Sequence, residues 1–260
     1  MDGNRDNKLS HRCFPQPQNK SIRVWRYLDL AEFVWLLDKR KLFLSRLDSL
    51  NYPHEGSATQ KDALIYKRLF EVFDRDLAEE YSQAISQCRQ DSRTATYVSC
   101  WHMNNAESHA MWRLYCGAEQ GVAIQTTYEK LANSITEPDV YIGLVRYIDY
   151  DEDWFSQGDF VPNVGDSLIY AVMHKWDVFA YESEIRIVKT LYDPSQEVVE
   201  PEQPPGITLD WNLEEVIEHI YIHPYAPLFY FDVVKAIVRK FTPSLEPRIQ
   251  WSKIKREPLY

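Results

Sequence analysis

Eight glycines in 260 residues leave little material for phosphate-cradling loops, and neither a Gly-x-Gly-x-x-Gly turn nor a Walker sequence occurs. A nucleotide held by this chain would sit on a scaffold other than a Rossmann or P-loop fold. The Gly-x-Ser-x-Gly nucleophile elbow is also missing. No apolar run approaches the ~20 residues that span a bilayer, so no membrane partner is expected. The polar stretch Met1 to Ser10 does not read as a signal peptide. Cysteine is scarce: Cys13, Cys88, Cys100 and Cys116 include no Cys-x-x-Cys pair. They read as free thiols of a reducing compartment, and the expected location is cytoplasmic. The seven histidines supply no His-Glu-x-x-His and no zinc-spaced Cys/His set, so no metal site is assigned. Positive charge is in deficit as well: 29 Lys and Arg against 39 Asp and Glu give a formal net charge of −10. Such a chain does not gather phosphate backbones non-specifically, which disfavours a nucleic-acid partner unless a local basic groove overrides the total.

Apolar and aromatic side chains are plentiful. Hydrophobic residues make up 45% of the chain, with 8 Trp, 17 Tyr and 11 Phe, enough for a sizeable core and for ring-lined pockets. Residues 1–20 read as a flexible tail, and 21–260 as one α+β domain with a mixed, largely antiparallel sheet flanked by helices. Strands are expected at 22–27, 42–45, 96–101, 121–125, 140–148 and 183–190. Helices are expected at 30–39 behind Asp29, over about 60–90 with Leu64, Leu69, Phe73 and Leu77 inward, through 110–114 behind Asn104 or Asn105, at 128–134 behind Thr127, and at 166–176. A Pro-rich loop, 201–206, precedes a last helix–strand–helix–strand unit that starts at about 207.

The chemistry concentrates at Glu182-Ser183-Glu184-Ile185-Arg186. Side chains alternate across a strand, so Glu182, Glu184 and Arg186 are expected on one face and Tyr181, Ile185 and Ile187 on the other. Two carboxylates that close repel, and one tends to take up a proton, a cation or a polyhydroxyl ligand. The plainer reading is a solvated sheet face with an ion pair. Trp25-Arg26-Tyr27 ends the first strand with a guanidinium between two rings, and Ser99-Cys100-Trp101-His102 ends a middle strand. The functional reading gathers these strand ends and the Glu-x-Glu strand around one pocket; the plainer one makes Trp25, Tyr27 and Trp101 core residues. His54-Glu55 is a half-site for a metal or a surface pair, and a hard cation on Glu55, Glu182 and Glu184 stays open. Cys100 beside His102 does not read as a thiol nucleophile, because nothing in the sequence orients the histidine.

Several motifs occur in the order of a prokaryotic family known as domain of unknown function 2971, which the chain resembles. They are Trp25-Arg26-Tyr27, Leu42-Phe43-Leu44-Ser45, Tyr52-Pro53-His54-Glu55-Gly56, Ser99-Cys100-Trp101, Met111-Trp112-Arg113-Leu114-Tyr115, His174-Lys175 and Tyr181-Glu182-Ser183-Glu184. The family usually has Asn-Asp-Pro-Phe-Glu where this chain has Asn51-Tyr52-Pro53-His54-Glu55. A strand-borne Arg, a strand-borne Ser and a Glu-x-Glu strand, in that order, further resemble the Arg–Ser–Glu arrangement of ADP-ribosyltransferases. That resemblance implies an ADP-ribosyltransferase-like fold and NAD as substrate. Arg26 would contact its phosphates, Ser99 would shape the nicotinamide pocket, Glu184 would hold a ribose hydroxyl, and Glu182 would assist the attacking nucleophile. Tyr27 or Trp101 would stack on nicotinamide, and Lys175 would contact phosphate. It also implies a protein or nucleic-acid acceptor; the resemblance to the 2971 family, whose relatives often lie in mobile or defence-associated loci, implies a toxin-like or defence role and a partner protein from the same locus. Two other readings stay open: a metal-dependent nuclease or hydrolase, and a non-catalytic module that binds a ligand or protein.

Overall fold

The computed structural model describes residues 11–50, 52–73, 76–117, 119–155, 164–192 and 203–255. The architecture is α+β, built on a nine-stranded, mostly antiparallel sheet with helices on both faces. Strand β1 (Arg23–Asp29) is buried on both faces, with Val24 and Leu28 in one core and Trp25 and Tyr27 in another, and only its end residues are exposed. Asp29 then starts helix α1 (Leu30–Lys39) with a reciprocal capping box to Glu32. The stripe Phe33, Leu36 and Leu37 lies against the sheet, and Arg40 in the left-handed region, at φ 54°, turns the chain into β2 (Lys41–Arg46). Helices α2 (Gln60–Phe73) and α3 (Ala78–Thr94) pack on each other before β3 (Thr96–Met103).

Beyond β3 come α4 (His109–Tyr115), β4 (Gly121–Thr127), α5 (Tyr128–Ser134), β5 (Val140–Leu144) and β6 (Arg146–Ile148). Next are α6 (Val164–Val172), β7 (His174–Trp176), a 3-10 turn over Asp177–Glu182 and β8 (Glu184–Thr190). The chain closes with β9 (Gly206–Asp210), α7 (Leu213–Val216), β10 (His219–Ile222), α8 (Leu228–Phe241) and β11 (Ile249–Trp251). The main path of the sheet runs β11-β10-β4-β1-β3-β2-β9, and β8 joins β3 to β5. Among the described residues only β10 and β11 pair in parallel within it; β6 and β7 form a separate two-stranded parallel sheet.

Strand β3 positions the site. One edge pairs with β8 continuously from Thr96↔Thr190 to His102↔Glu184. The other edge is shared: β2 takes its start at Ser45↔Val98 and Arg46↔Tyr97, and β1 takes its end at Trp25↔His102 and Val24↔Met103. Between these pairings β1 and β2 diverge, and the sheet forks beside Ser99–Trp101. The largest core covers one face with Leu28, Phe33, Leu42, Trp101, Ile124 and Ile185 among its members. Two smaller cores cover the other face: Trp25, Tyr27 and Trp112 in one, Phe14, Val98 and Val188 in the second.

Several expectations are corrected. Residues 11–20 are not a free tail: Cys13 and Phe14 are buried, Phe14 stacks on Tyr141 at 4.9 Å, and the side chain of Gln16 donates to the Ile142 carbonyl at 2.8 Å. The Leu144 N–H also donates to the Pro15 carbonyl at 2.8 Å, and together these contacts dock the segment over β5; residues 1–10 lie outside the described residues. Leu64, Leu69 and Leu77 are exposed, because α2 and α3 turn only part of their surface to the rest of the fold; the side chain of Phe73 lies outside the described residues. The expected helix 166–176 ends at Val172, and 174–176 pairs with β6 instead. The expected strand 140–148 divides at Val145 between two sheets. Ser108, not Asn104 or Asn105, caps α4.

Candidate functional site

Strand β8 starts one residue later than the alternation predicts. Ser183 lies in the left-handed region, at φ 41° and ψ 56°, so Glu182 ends the preceding 3-10 turn and Glu184 is the first strand residue. The two carboxylates still meet, at Lys175 in the middle of β7: its Nζ donates to Glu182 Oε2 at 2.6 Å and Glu184 Oε2 at 3.2 Å, and lies 3.5 Å from Glu55 Oε1. The rings of Tyr52 and Phe179 flank the ammonium at 5.0 and 5.2 Å. Arg186, fully buried, grips Glu184 through Nε at 2.8 Å and Nη2 at 3.1 Å, and its Nη1 donates to Glu55 Oε2 at 2.9 Å and to the Val172 carbonyl at 2.5 Å. The charged face of β8 is thus interior, not solvated, because α6, β7 and the loop bearing Glu55 close over it.

Three carboxylates face two cations, and each side chain is at most 6% exposed. One negative charge is therefore left over, and the carboxylates do not share it equally. Both Glu184 oxygens are occupied; burial raises its pKa, but Arg186 and Lys175 outweigh burial and hold it well below the usual carboxylate range. Glu182 shifts the other way, because burial outweighs Lys175. Its Oε1, and Oε1 of Glu55, have no hydrogen-bond partner among the described residues. Burial lowers the pKa of Lys175, yet Glu184 and Glu55 more than offset that and keep the ammonium charged. Environments that push two neighbouring carboxylates apart assign one to proton exchange and the other to a fixed charge.

A cleft of about 340 Å³ opens over this cluster. Arg26, Tyr27, Ser99, Trp101, Lys175, Glu182 and Glu184, the seven residues singled out in the sequence, all line it. They do not share one face of the sheet. Arg26, Ser99 and Trp101 alternate toward the side of the largest core; Glu184, with Cys100 and His102 beside it, alternates toward the other. The fork between β1 and β2 joins the two sides. Arg26 Nη1 donates to Ser99 Oγ at 2.5 Å and its guanidinium lies 6.0 Å from the Trp101 ring centre. Among the described residues no carboxylate comes within 4.0 Å of Arg26. Burial lowers its pKa, and Glu32 nearby partly restores it. Trp101 and Tyr27 are at once cleft walls and core residues: Trp101 packs against Trp211 at 5.8 Å, and Tyr27 against Trp112 at 5.0 Å. The open ring at the mouth is Tyr115, 48% exposed, within electrostatic reach of Glu182.

His102 completes the cluster differently from any thiol dyad. Its Nδ1 donates to the Glu182 carbonyl at 2.5 Å, which fixes the main chain carrying that carboxylate. Burial pushes the Cys100 thiol up, away from thiolate chemistry. The backbone N–H of Glu184 donates to Tyr147 Oη at 2.7 Å, an anchor sequence reading did not find; alternation along β6, next to the Lys175 strand, was the available signal. No cysteine among the described residues is in a disulfide. Among the described residues no group of three or more His, Cys, Asp or Glu is arranged to hold a metal ion, since Lys175 and Arg186 occupy the space between the glutamates. Also among the described residues, no helix is long and apolar enough to cross a membrane.

This half of the site lies in a recognisable sequence segment. Residues 111–187 match the family model Protein of unknown function (DUF2971). The resemblance read from the sequence thus holds over α4 to β8. The DUF2971 segment carries Tyr115, Tyr147, Lys175, Glu182, Glu184 and Arg186; Arg26, Glu55, Ser99 and Trp101 come from outside it. No curated protein and no solved structure matches the chain.

Proposed function

We propose that the cleft binds NAD and cleaves its nicotinamide–ribose bond, as an ADP-ribosyltransferase or NAD glycohydrolase. One observation carries the reading. A single cleft holds a half-buried guanidinium with no carboxylate within 4.0 Å among the described residues on one side, and a carboxylate with a free oxygen, backed by a lysine, on the other. A guanidinium that makes no direct ion pair is open to a phosphate. A carboxylate oriented by an ammonium takes hydroxyls and protons.

In the proposed reaction the C–N glycosidic bond breaks and its electron pair leaves with nicotinamide. Positive charge develops on the ribose ring, as in glycoside cleavage. The cluster's surplus negative charge stabilises that positive charge without reorganising. Water or an acceptor hydroxyl then bonds to the anomeric carbon and gives up its proton to Glu182 Oε1. Both Glu184 oxygens are engaged by Arg186 and Lys175, so Glu184 supplies fixed charge and holds Lys175 in place, while Glu182 does the proton work. The half-exposed Tyr115 offers its ring to nicotinamide.

Nicotinamide release from NAD, followed by chromatography, tests the proposal. Wild-type protein should turn over NAD, and Glu182→Gln should lose about 100-fold or more, the usual effect of removing a positioned acid–base group. In cells, wild type but not Glu182→Gln should deplete NAD, the behaviour of a toxin-like effector. No release by the wild type sinks the catalytic reading. The fully engaged Glu184, Lys175 and Arg186 favour one alternative, a module that binds NAD without turning it over; NAD binding by calorimetry with no nicotinamide released would establish it.

A further inference from the structure

A second cavity, of about 360 Å³, lies beneath α1 on the Arg26 side of the sheet. It shares Arg26, Leu28 and Glu32 with the cleft, so the two are chambers of one groove that meet at Arg26. Its floor is Leu42, Ile124 and Trp211, all buried. Its wall is the edge-to-face pair Trp35 and Phe43, with ring centres 5.6 Å apart. Both rings are only partly buried and keep accessible surface. Among the described residues, Arg26 and Glu32 are the only charged groups lining this chamber. Glu32 uses Oε2 to accept the Asp29 N–H of the helix cap, and Oε1 is not part of that bond.

Ligand pockets for small molecules usually run from ~300 to 1,000 Å³, so each chamber alone is near the lower limit and a two-headed ligand would use both. We infer that the chamber beneath α1 seats the purine of the dinucleotide whose nicotinamide end enters the cleft, with Arg26 holding phosphate at the waist between them. The inference rests on the reading of the cleft as an NAD site. A purine nucleotide offers what the lining asks for: a planar ring for Trp35 and Phe43, an exocyclic amine to donate to Glu32 Oε1, and a phosphate for Arg26. An acyl chain would match the apolar floor and leave Glu32 unused.

The test compares AMP, nicotinamide mononucleotide and NAD by calorimetry on wild type, Trp35→Ala and Ala31→Trp. Trp35→Ala removes the stacking ring; Ala31→Trp, at an exposed helix position lining the chamber, fills the space and deletes nothing from the core. Stacking of a base on an aromatic side chain is worth ~1–3 kcal/mol, so both variants should weaken AMP and NAD by about tenfold or more and leave nicotinamide mononucleotide unchanged. Failure of AMP to bind the wild type overturns the inference, and so does an equal loss for all three ligands or for none. AMP binding that both variants weaken, in a protein that releases no nicotinamide, would keep the purine chamber and retire the cleavage reaction instead.

Discussion

Glu182 and Glu184 bind the same ammonium, yet removing their charges should have different effects. Glu184→Gln deletes the charge that Arg186 embraces through two nitrogens, leaving a fully buried guanidinium with Glu55 as its remaining carboxylate contact. Breaking a buried pair from one side costs about 3–5 kcal/mol. Glu184→Gln should therefore unfold at markedly lower denaturant concentration than wild type. Glu182→Gln should change stability far less, because a carboxylate whose pKa burial has raised gives up little when made neutral. Urea titrations of both variants check the contrast, and equal losses would mean that the two residues share their charge evenly. Sequence alone placed the two glutamates beside Arg186 but gave Lys175 to phosphate, whereas that ammonium is engaged by Glu182, Glu184 and Glu55. It did not reveal which carboxylate is saturated, since that depends on Glu55 arriving from a loop more than a hundred residues away and on the left-handed turn at Ser183.

At the scale of elements, the strands and helices that were legible are those whose pattern is self-contained. The Asp29 cap, the Phe33-Leu36-Leu37 stripe and the apolar and aromatic run of β1 each signal their element within a few residues. What failed were elements settled by distant partners. Strand β9 exists because β2 offers it an edge over Lys41↔Asp210 to Ser45↔Gly206. The strand 174–176 exists because β6 lies alongside. The docked N-terminal segment is a third case. At Gly143 an added Cβ would stand 2.8 Å from Phe14 Cα and 2.9 Å from Phe14 Cβ. Gly143→Ala should push this segment away from β5, at a cost of about 1–3 kcal/mol for overpacking. Limited proteolysis is the check: cleavage within 11–16 should speed up in the variant while the rest of the chain keeps its wild-type pattern.

The whole molecule should be acid-sensitive, and the sign follows from its buried groups. His174, 3% exposed, donates Nδ1–H to the Tyr170 carbonyl at 2.7 Å, and burial lowers its pKa from 6.5 to about 4. Between those values the unfolded imidazole takes a proton that the folded one refuses. The stability it contributes is present above pH 6.5 and falls as pH drops toward 4. Below that window Glu184 continues the trend: its depressed pKa contributes stability above about 4.3, the ordinary glutamate value, that is lost on further acidification. From pH 6.5 to 5 the His174 share is about 2 kcal/mol. His174→Asn, which keeps an N–H donor and cannot titrate, should be less stable than wild type at neutral pH and show a flatter slope across that interval in chemical denaturation. Parallel slopes would remove His174 from the account.

Because β3 is hydrogen-bonded to β8 along one edge and to both β1 and β2 along the other, neither side of the molecule has a complete backbone ladder without it. Releasing either flank would strip partners from the strand on which the opposite flank is registered, so partial opening has no inexpensive stopping point there. Amide protons of Ser99 and Trp101, which point to β8, should consequently exchange with deuterium only through global unfolding, at rates that track denaturant as steeply as the overall transition. Those of α2 and α3, which rest mainly on each other, should exchange through shallow local openings.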